Sequence, residues 1–369
     1  MVRSKSSAAP RSAERGAFVP PGELWQTLAD VRTEALDWLF PQRIPRSMLS
    51  LIEAKKNGGK STMLSAIAAH VLGGPPLPGR RREPKPAQVL WLAGEESAAQ
   101  AVRPRIEEAG GDPRGVILPG MDEERGIRRR LYLPGDLGRL DALVSRCNVR
   151  LIVADPYISF VPASSCMRDE DGARAVLEPL AEWASSRGVT VLYSRHLSKG
   201  RHADPLDAGL GSTAVGAVAR AIVRLDPHPT IPGLRTMCRV ACCARGTPPN
   251  LLYRIVGDRV DFGRIQWEGE TDLSIAEVID AATDAVEQSA LDDAMMIVRG
   301  ILSDAPKPSK QLLDEALGAG VSVATLRRAR IRLGCLTRRV TTGQTAYVEW
   351  RLPDAPAAPK KDNKRRKKG

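Results

Sequence analysis

The run Ala54-Lys-Lys-Asn-Gly-Gly-Lys60-Ser61-Thr62 constrains this chain more than any other stretch. It follows an apolar segment, Met48-Leu-Ser-Leu-Ile52, and opens an alanine-rich one, Ser61 to Leu72, that ends at Gly73-Gly74-Pro75-Pro76. Strand, glycine turn and helix in that order make a phosphate cradle. Small residues let successive backbone N–H groups face inward, and the helix N-terminus adds partial positive charge. Asn57, Gly58, Gly59, Lys60, Ser61 and Thr62 are the expected phosphate-binding residues. Lys60 has the reach for the β- and γ-phosphates of ATP, and the Ser61 hydroxyl can serve Mg²⁺ as a ligand. The pattern GxxxxGK[ST] has glycine where this chain has Ala54; alanine is costly there if φ is positive and harmless if not.

Further strands are expected at Val89–Ala93, Arg150–Ala154, Val189–Tyr193 and Ala221–Leu225, with short candidates at 116–118 and 131–133. Helices are expected at 96–109, 137–147, 174–187 and 212–219, and a late hairpin at 236–243 and 251–256. Strands alternating with helices imply an α/β fold with a mostly parallel sheet and helices on both faces. In such a sheet the carboxyl ends of the strands surround the ligand crevice. Asp155 follows one strongly apolar strand and is the expected Mg²⁺-side carboxylate; Glu95 follows another and can polarise a water attacking the γ-phosphate, with Glu96 the adjacent alternative. Ser194-Arg195-His196 closes a third, and His196 is the group expected to sense the γ-phosphate.

The net charge of +12 comes from 55 Lys and Arg against 43 acids, and residues 360–369 alone hold seven basic residues against one acid. Such an excess suits a nucleic-acid or other acidic partner. No apolar run reaches the length of a membrane span, so no membrane association is expected. Six cysteines without a CxxC pair read as buried thiols of a cytoplasmic protein rather than a zinc site. The organisation expected is a polar tail (1–22), an ATPase domain (23–268), an acidic, alanine-rich linker (269–290), a C-terminal domain (291–353) and a basic tail (354–369).

The C-terminal domain reads as a winged helix: helices at 291–302, 309–317 and 323–333, then a hairpin across Gly343. In the third helix Leu326, Ala329, Ile331 and Leu333 are expected to face the core, with Arg327, Arg328, Arg330 and Arg332 over the remaining surface and Arg338 and Arg339 at the base of the wing. Residues 321–339 hold six arginines and no acid, a pattern suited to DNA. Lys199 and Arg201, in the Gly-containing stretch before Gly211, are further candidate backbone contacts.

Trp38-Leu-Phe-Pro, Gly94-Glu-Glu-Ser97, Arg150-Leu-Ile-Val-Ala-Asp-Pro156, Arg195-His-Leu-Ser-Lys199, and Gly211-Ser212 leading to Ala219-Arg220 occur in this order. The ordered set, over about residues 25–265, resembles the RecA-like ATPases of the plasmid RepA type, relatives of hexameric replicative helicases. The resemblance implies a homohexameric ring with ATP between subunits. It also implies Glu95 as catalytic carboxylate, Asp155 beside Mg²⁺, His196 as γ-phosphate sensor and Arg220 as an arginine finger for the neighbouring subunit. Related helicases carry a lysine or arginine on the late hairpin; here Ala241-Cys-Cys-Ala-Arg245-Gly246 has no lysine, so the resemblance leaves two alternatives, Arg245 as the substitute or weaker activation in trans. The expected activity is a DNA-associated ATP-driven motor, a replicative helicase or a helicase-like plasmid or phage replication protein. The alternatives are a nucleotide-gated DNA-binding regulator with little hydrolysis, and a filament-forming recombination or repair ATPase.

Overall fold

The computed structural model describes residues 28–353 apart from 84, 123–126, 129, 163, 164, 166–168, 198–213, 258–261, 343 and 344. Lys199, Arg201, the tails 1–22 and 354–369, and the start of the helix expected at 212–219 lie outside the described residues. The chain divides into units 1–37 and 38–369, and in the first the described residues form a single 3-10 turn, Leu28–Asp30.

In the second unit nine strands form one sheet: β1 (Leu49–Ala54), β2 (Gln88–Ala93), β3 (Val116–Ile117), β4 (Val149–Asp155), β5 (Thr190–His196), β6 (Ala221–Pro227), β7 (Leu234–Cys242), β8 (Asn250–Val256) and β9 (Arg264–Thr271). Their spatial order is β9-β8-β7-β6-β1-β5-β4-β2-β3. The six from β6 to β3 run parallel, while β7, β8 and β9 continue from β6 as an antiparallel meander. The late hairpin therefore has a third strand, β9, and it crosses the boundary expected at 268/269. Its residues are exposed or half-buried, with Ile265 and Trp267 turned inward, a weaker apolar signal than that of β1, whose six residues are all buried. The strand expected at 131–133 is absent, and Leu133 instead packs in the core.

Helix α1 (Lys60–Val71) packs on one face of the sheet with α2 (Arg103–Glu108). Helices α3 (Leu137–Arg146), α4 (Glu170–Arg187) and the short α5 (Ala214–Ala217) cover the other. The helix expected at 96–109 begins with a wide π turn over Ala98–Val102, capped by the Ser97 hydroxyl, which accepts from Gln100 N–H. No helix is long and apolar enough to cross a membrane among the described residues.

The segment read as a linker, 269–290, instead holds the end of β9 and the first half of one continuous helix, α6 (Ile275–Leu302). Ser274 and Glu277 form a capping box: the Ser274 hydroxyl accepts from Glu277 N–H at 3.2 Å, and the Glu277 carboxylate accepts from Ser274 N–H at 2.7 Å. That pair satisfies two N–H groups that a helix start otherwise leaves open. Val278 and Ala282, one turn apart, bury a face of this half, which packs by β6 and β7. Ala294, Val298 and Leu302 carry the other half into a separate core with α7 (Ser309–Gly318), α8 (Val323–Arg332) and Trp350. A small antiparallel sheet completes that region, with β12 (Thr345–Arg351) between β10 (Lys307–Pro308) and β11 (Leu336–Thr342).

Candidate active site

The parallel strands bring four functional stretches to one edge. In register, Ala54 at the end of β1 lies opposite His196 at the end of β5, and Ala93 of β2 lies opposite Asp155 of β4. With β4 and β5 adjacent, the phosphate turn, His196, Asp155 and Glu95 follow one another across the carboxyl edge. They line a cleft of about 350 Å³ with Lys56, Asn57, Gly58, Gly59, Lys60, Ser61 and Thr62.

Two residues of the turn adopt left-handed backbone, Asn57 at φ 60° and Gly59 at φ 80°; Asn tolerates this better than most residues, and Gly without cost. Ala54 is not left-handed, so its departure from glycine carries no backbone penalty. Its methyl instead fills the space by Gly58, where an added Cβ would lie 2.6 Å from the Ala54 Cβ and 2.7 Å from the Lys55 carbonyl.

The buried Lys60 ammonium lies 2.9 Å from His196 Nδ1. An ammonium only donates, so Nδ1 accepts and the neutral ring carries its proton on Nε2. Desolvation, then the Lys60 charge, holds the His196 pKa below its ordinary value; desolvation also lowers that of Lys60, against the pull of Asp155 and Glu95. Asp155 accepts from the Ser61 hydroxyl at 2.6 Å through one oxygen and from the Ser194 hydroxyl through the other. A serine hydroxyl at a helix start against a carboxylate is a hard oxygen pair that suits Mg²⁺.

The two adjacent glutamates differ. Glu96 forms a bidentate pair with Arg105, whose Nη2 donates at 2.9 Å, while Glu95 stands exposed at the cleft without such a pair among the described residues. Gly94 permits this turn, since a Cβ there would collide with Ser159. Arg195 turns away from the cleft and, fully buried, donates to Glu53 at 2.9 Å; burial raises the Glu53 pKa despite that pair.

Arg220 is not in the cleft. It precedes β6, its N–H donates to the Leu49 carbonyl at 2.9 Å, and its side chain is exposed at the amino edge of the parallel strands. Cys243 N–H donates to the Arg220 carbonyl, which brings the turn bearing exposed Arg245 to the same edge. On the third helix, Arg327, Arg328 and Arg332 are exposed, as are Arg338 and Arg339 on β11. Arg330 departs from the expected surface: it is half-buried with its guanidinium 5.1 Å from the Trp350 ring centroid, a cation–π contact that ties α8 to the small sheet. Ile331 departs in the other direction, being 73% exposed rather than in the core. Leu326, Ala329 and Leu333 follow the i, i+3, i+7 spacing of one face, and Ile331 falls opposite it.

Sequence reasoning missed Arg105, Ile255 and the anchoring role of Ser194. Ser194 sits in the polar strand end that drew attention to His196; Arg105 and Ile255 reach the cleft from separate elements, and no local spacing marks them. It also missed Lys55, whose ammonium leaves the phosphate turn and donates to the Ala282 carbonyl of α6 at 2.8 Å.

The family model of the AAA domain matches residues 14–202, just over half of the chain. Among curated proteins none matches the sequence. The matched segment carries the phosphate turn, Glu95, Asp155 and His196, and with that site on a large, mostly parallel sheet, the chain belongs to the AAA domain family, ATPases of the P-loop, RecA-like class.

Proposed function

We propose that this chain is a DNA-associated ATP-driven motor, a replicative helicase or helicase-like plasmid or phage replication protein that works as a hexameric ring. The observation that carries the reading is the division of the sheet into two edges. Lys60, His196, Asp155 and Glu95 share the carboxyl edge, while Arg220 and Arg245 lie at the amino edge and cannot serve their own cleft. An arginine so placed meets a nucleotide only on a neighbouring subunit, as a ring allows. The C-terminal region is read as a winged helix whose exposed arginines meet DNA.

In this reading backbone N–H groups of 57–62 and the Lys60 ammonium hold the ATP phosphates. Ser61, with Asp155 beside it, would hold Mg²⁺, which neutralises charge on the phosphates. Glu95 takes a proton from the attacking water as its oxygen bonds to the γ-phosphorus; the bond to the ADP oxygen breaks, and its electron pair leaves with ADP. His196, paired with Lys60, responds to loss of the γ-phosphate.

The test combines ATP turnover with and without DNA, native mass and unwinding of a forked duplex. DNA-stimulated turnover by a six-subunit species that unwinds the fork supports the reading; a dimer that only shifts DNA mobility removes it. One observation favours the regulator as second reading: the bond from Lys55 to Ala282 joins the phosphate turn to the helix that enters the C-terminal core. There, ATP changes DNA affinity without unwinding, and Lys55→Met abolishes that change.

A further inference from the structure

Ile331, at 73% exposure, is the most exposed large apolar side chain among the described residues of 38–353. Single exposed aliphatics are common on protein surfaces, so its surroundings must carry the argument. At 3.6 residues per turn, Ala324 and Ile331 fall on one line along the outward face of α8, about 10 Å apart. Arg327 and Arg328 lie between them in height, one on each side of the line, and Arg332 follows; all are exposed. No acid occurs from 321 to 348. The result is an aliphatic ridge flanked by guanidinium groups.

A helix that only tracks phosphates needs cations and short polar groups, and a branched aliphatic on its outward face, here in the last turn, contributes nothing to such contacts. The major groove of duplex DNA has one apolar feature on its base edges, the thymine C5-methyl group, and is wide enough to admit a helix. The deep, narrow major groove of duplex RNA is not, and uracil lacks the methyl. We propose that α8 reads sequence in duplex DNA, with Ile331 contacting a thymine methyl while Arg327 and Arg328 reach neighbouring base edges or phosphates. This rests on the DNA-associated reading above and goes beyond it, since phosphate contact alone would leave binding indifferent to sequence.

The experiment selects full-length protein against a randomised 30-base-pair duplex pool, then measures binding to the enriched duplex with thymine or with deoxyuridine on the read strand. Enrichment of a thymine-containing motif is expected, with about three- to fivefold weaker binding when the methyl is removed. Ile331→Ala should bind both duplexes equally with unchanged thermal stability, as the side chain is exposed, and Ile331→Val should keep part of the preference. Strong, salt-sensitive binding of the pool with no enriched motif, or equal binding of both duplexes by the unaltered protein, overturns the inference and leaves the DNA-associated reading intact. Equal binding together with weaker self-association of Ile331→Ala assigns the residue to a contact between copies and also overturns it. No binding to any duplex removes the DNA-associated reading itself.

Discussion

Glu95 and Glu96 are the same residue type one position apart, and their surroundings differ. Arg105 engages both oxygens of Glu96, whereas the Glu95 carboxylate stands at the cleft. Glu95→Gln is therefore expected to bind ATP within about threefold of normal and to hydrolyse it about 10²–10⁴-fold more slowly. Glu96→Gln, with Arg105 still able to donate to the amide oxygen, should keep most of its turnover; single-turnover hydrolysis beside nucleotide titration separates the two. A second residue-scale prediction concerns His70, fully buried on α1 and 3.9 Å from Glu83. Desolvation is the largest influence on this imidazole and lowers its pKa from the usual 6.5. The unfolded chain then takes up a proton below pH 6.5 that the folded chain resists. Stability from this group is full above that value and is lost as pH falls through it towards the folded pKa. Denaturant midpoints measured from pH 7.5 to 5.5 should fall, and His70→Gln should flatten that part of the profile.

The turn between β1 and α1 and the start of α6 are the elements on which the site depends. Gly58 is hemmed by the Ala54 methyl and the Lys55 carbonyl, so Gly58→Ala should deform the cradle and weaken ATP binding at least tenfold. Ala54→Gly, at a position without left-handed backbone, should leave it within about threefold; fluorescent-nucleotide titration reads both. The capping box at Ser274 holds the first turn of α6 beside the core. Ser274→Ala should cost about 1 kcal/mol, measured by chemical denaturation. It should also speed hydrogen exchange in the first turn of the helix more than in α7 or α8.

Across the molecule, α6 is about 42 Å of uninterrupted helix that takes part in two cores and accepts a bond from the phosphate turn. The two edges of the main sheet make the proposed ring testable without imaging it. If Arg220 serves a neighbour's cleft, Lys60→Ala and Arg220→Ala proteins should each be inactive alone. Mixed, they should recover a measurable fraction of ATP turnover, because some interfaces combine an intact cleft with an intact arginine. Recovery that is absent at every mixing ratio would leave Arg220 without a role in trans.

Much of this was legible in the chain because it is local. The phosphate turn needs its residues consecutive, and each parallel strand is an apolar run ended by a polar group, so β1, β2, β4 and β5, the residues Lys60, Asp155 and His196, and the pair Glu95 and Glu96 stood out from spacing. The capping box and the i, i+4 pair Val278 and Ala282 were also present in the sequence, yet acidic, alanine-rich composition reads equally as linker or as helix until a core claims one face. Apolar character offered Ile331 to the core, although helical spacing sets it opposite Leu326, Ala329 and Leu333; Arg330, expected at the surface, packs against Trp350 instead. The sequence by itself determined the class of fold and most of the residues that line the cleft, since both rest on backbone period and neighbouring residues. Only the tertiary structure decided which glutamate is held, which edge carries Arg220 and what the phosphate turn grips. Those depend on contacts between residues such as Glu96 and Arg105, or Lys55 and Ala282, whose separation along the chain leaves no mark in any short window.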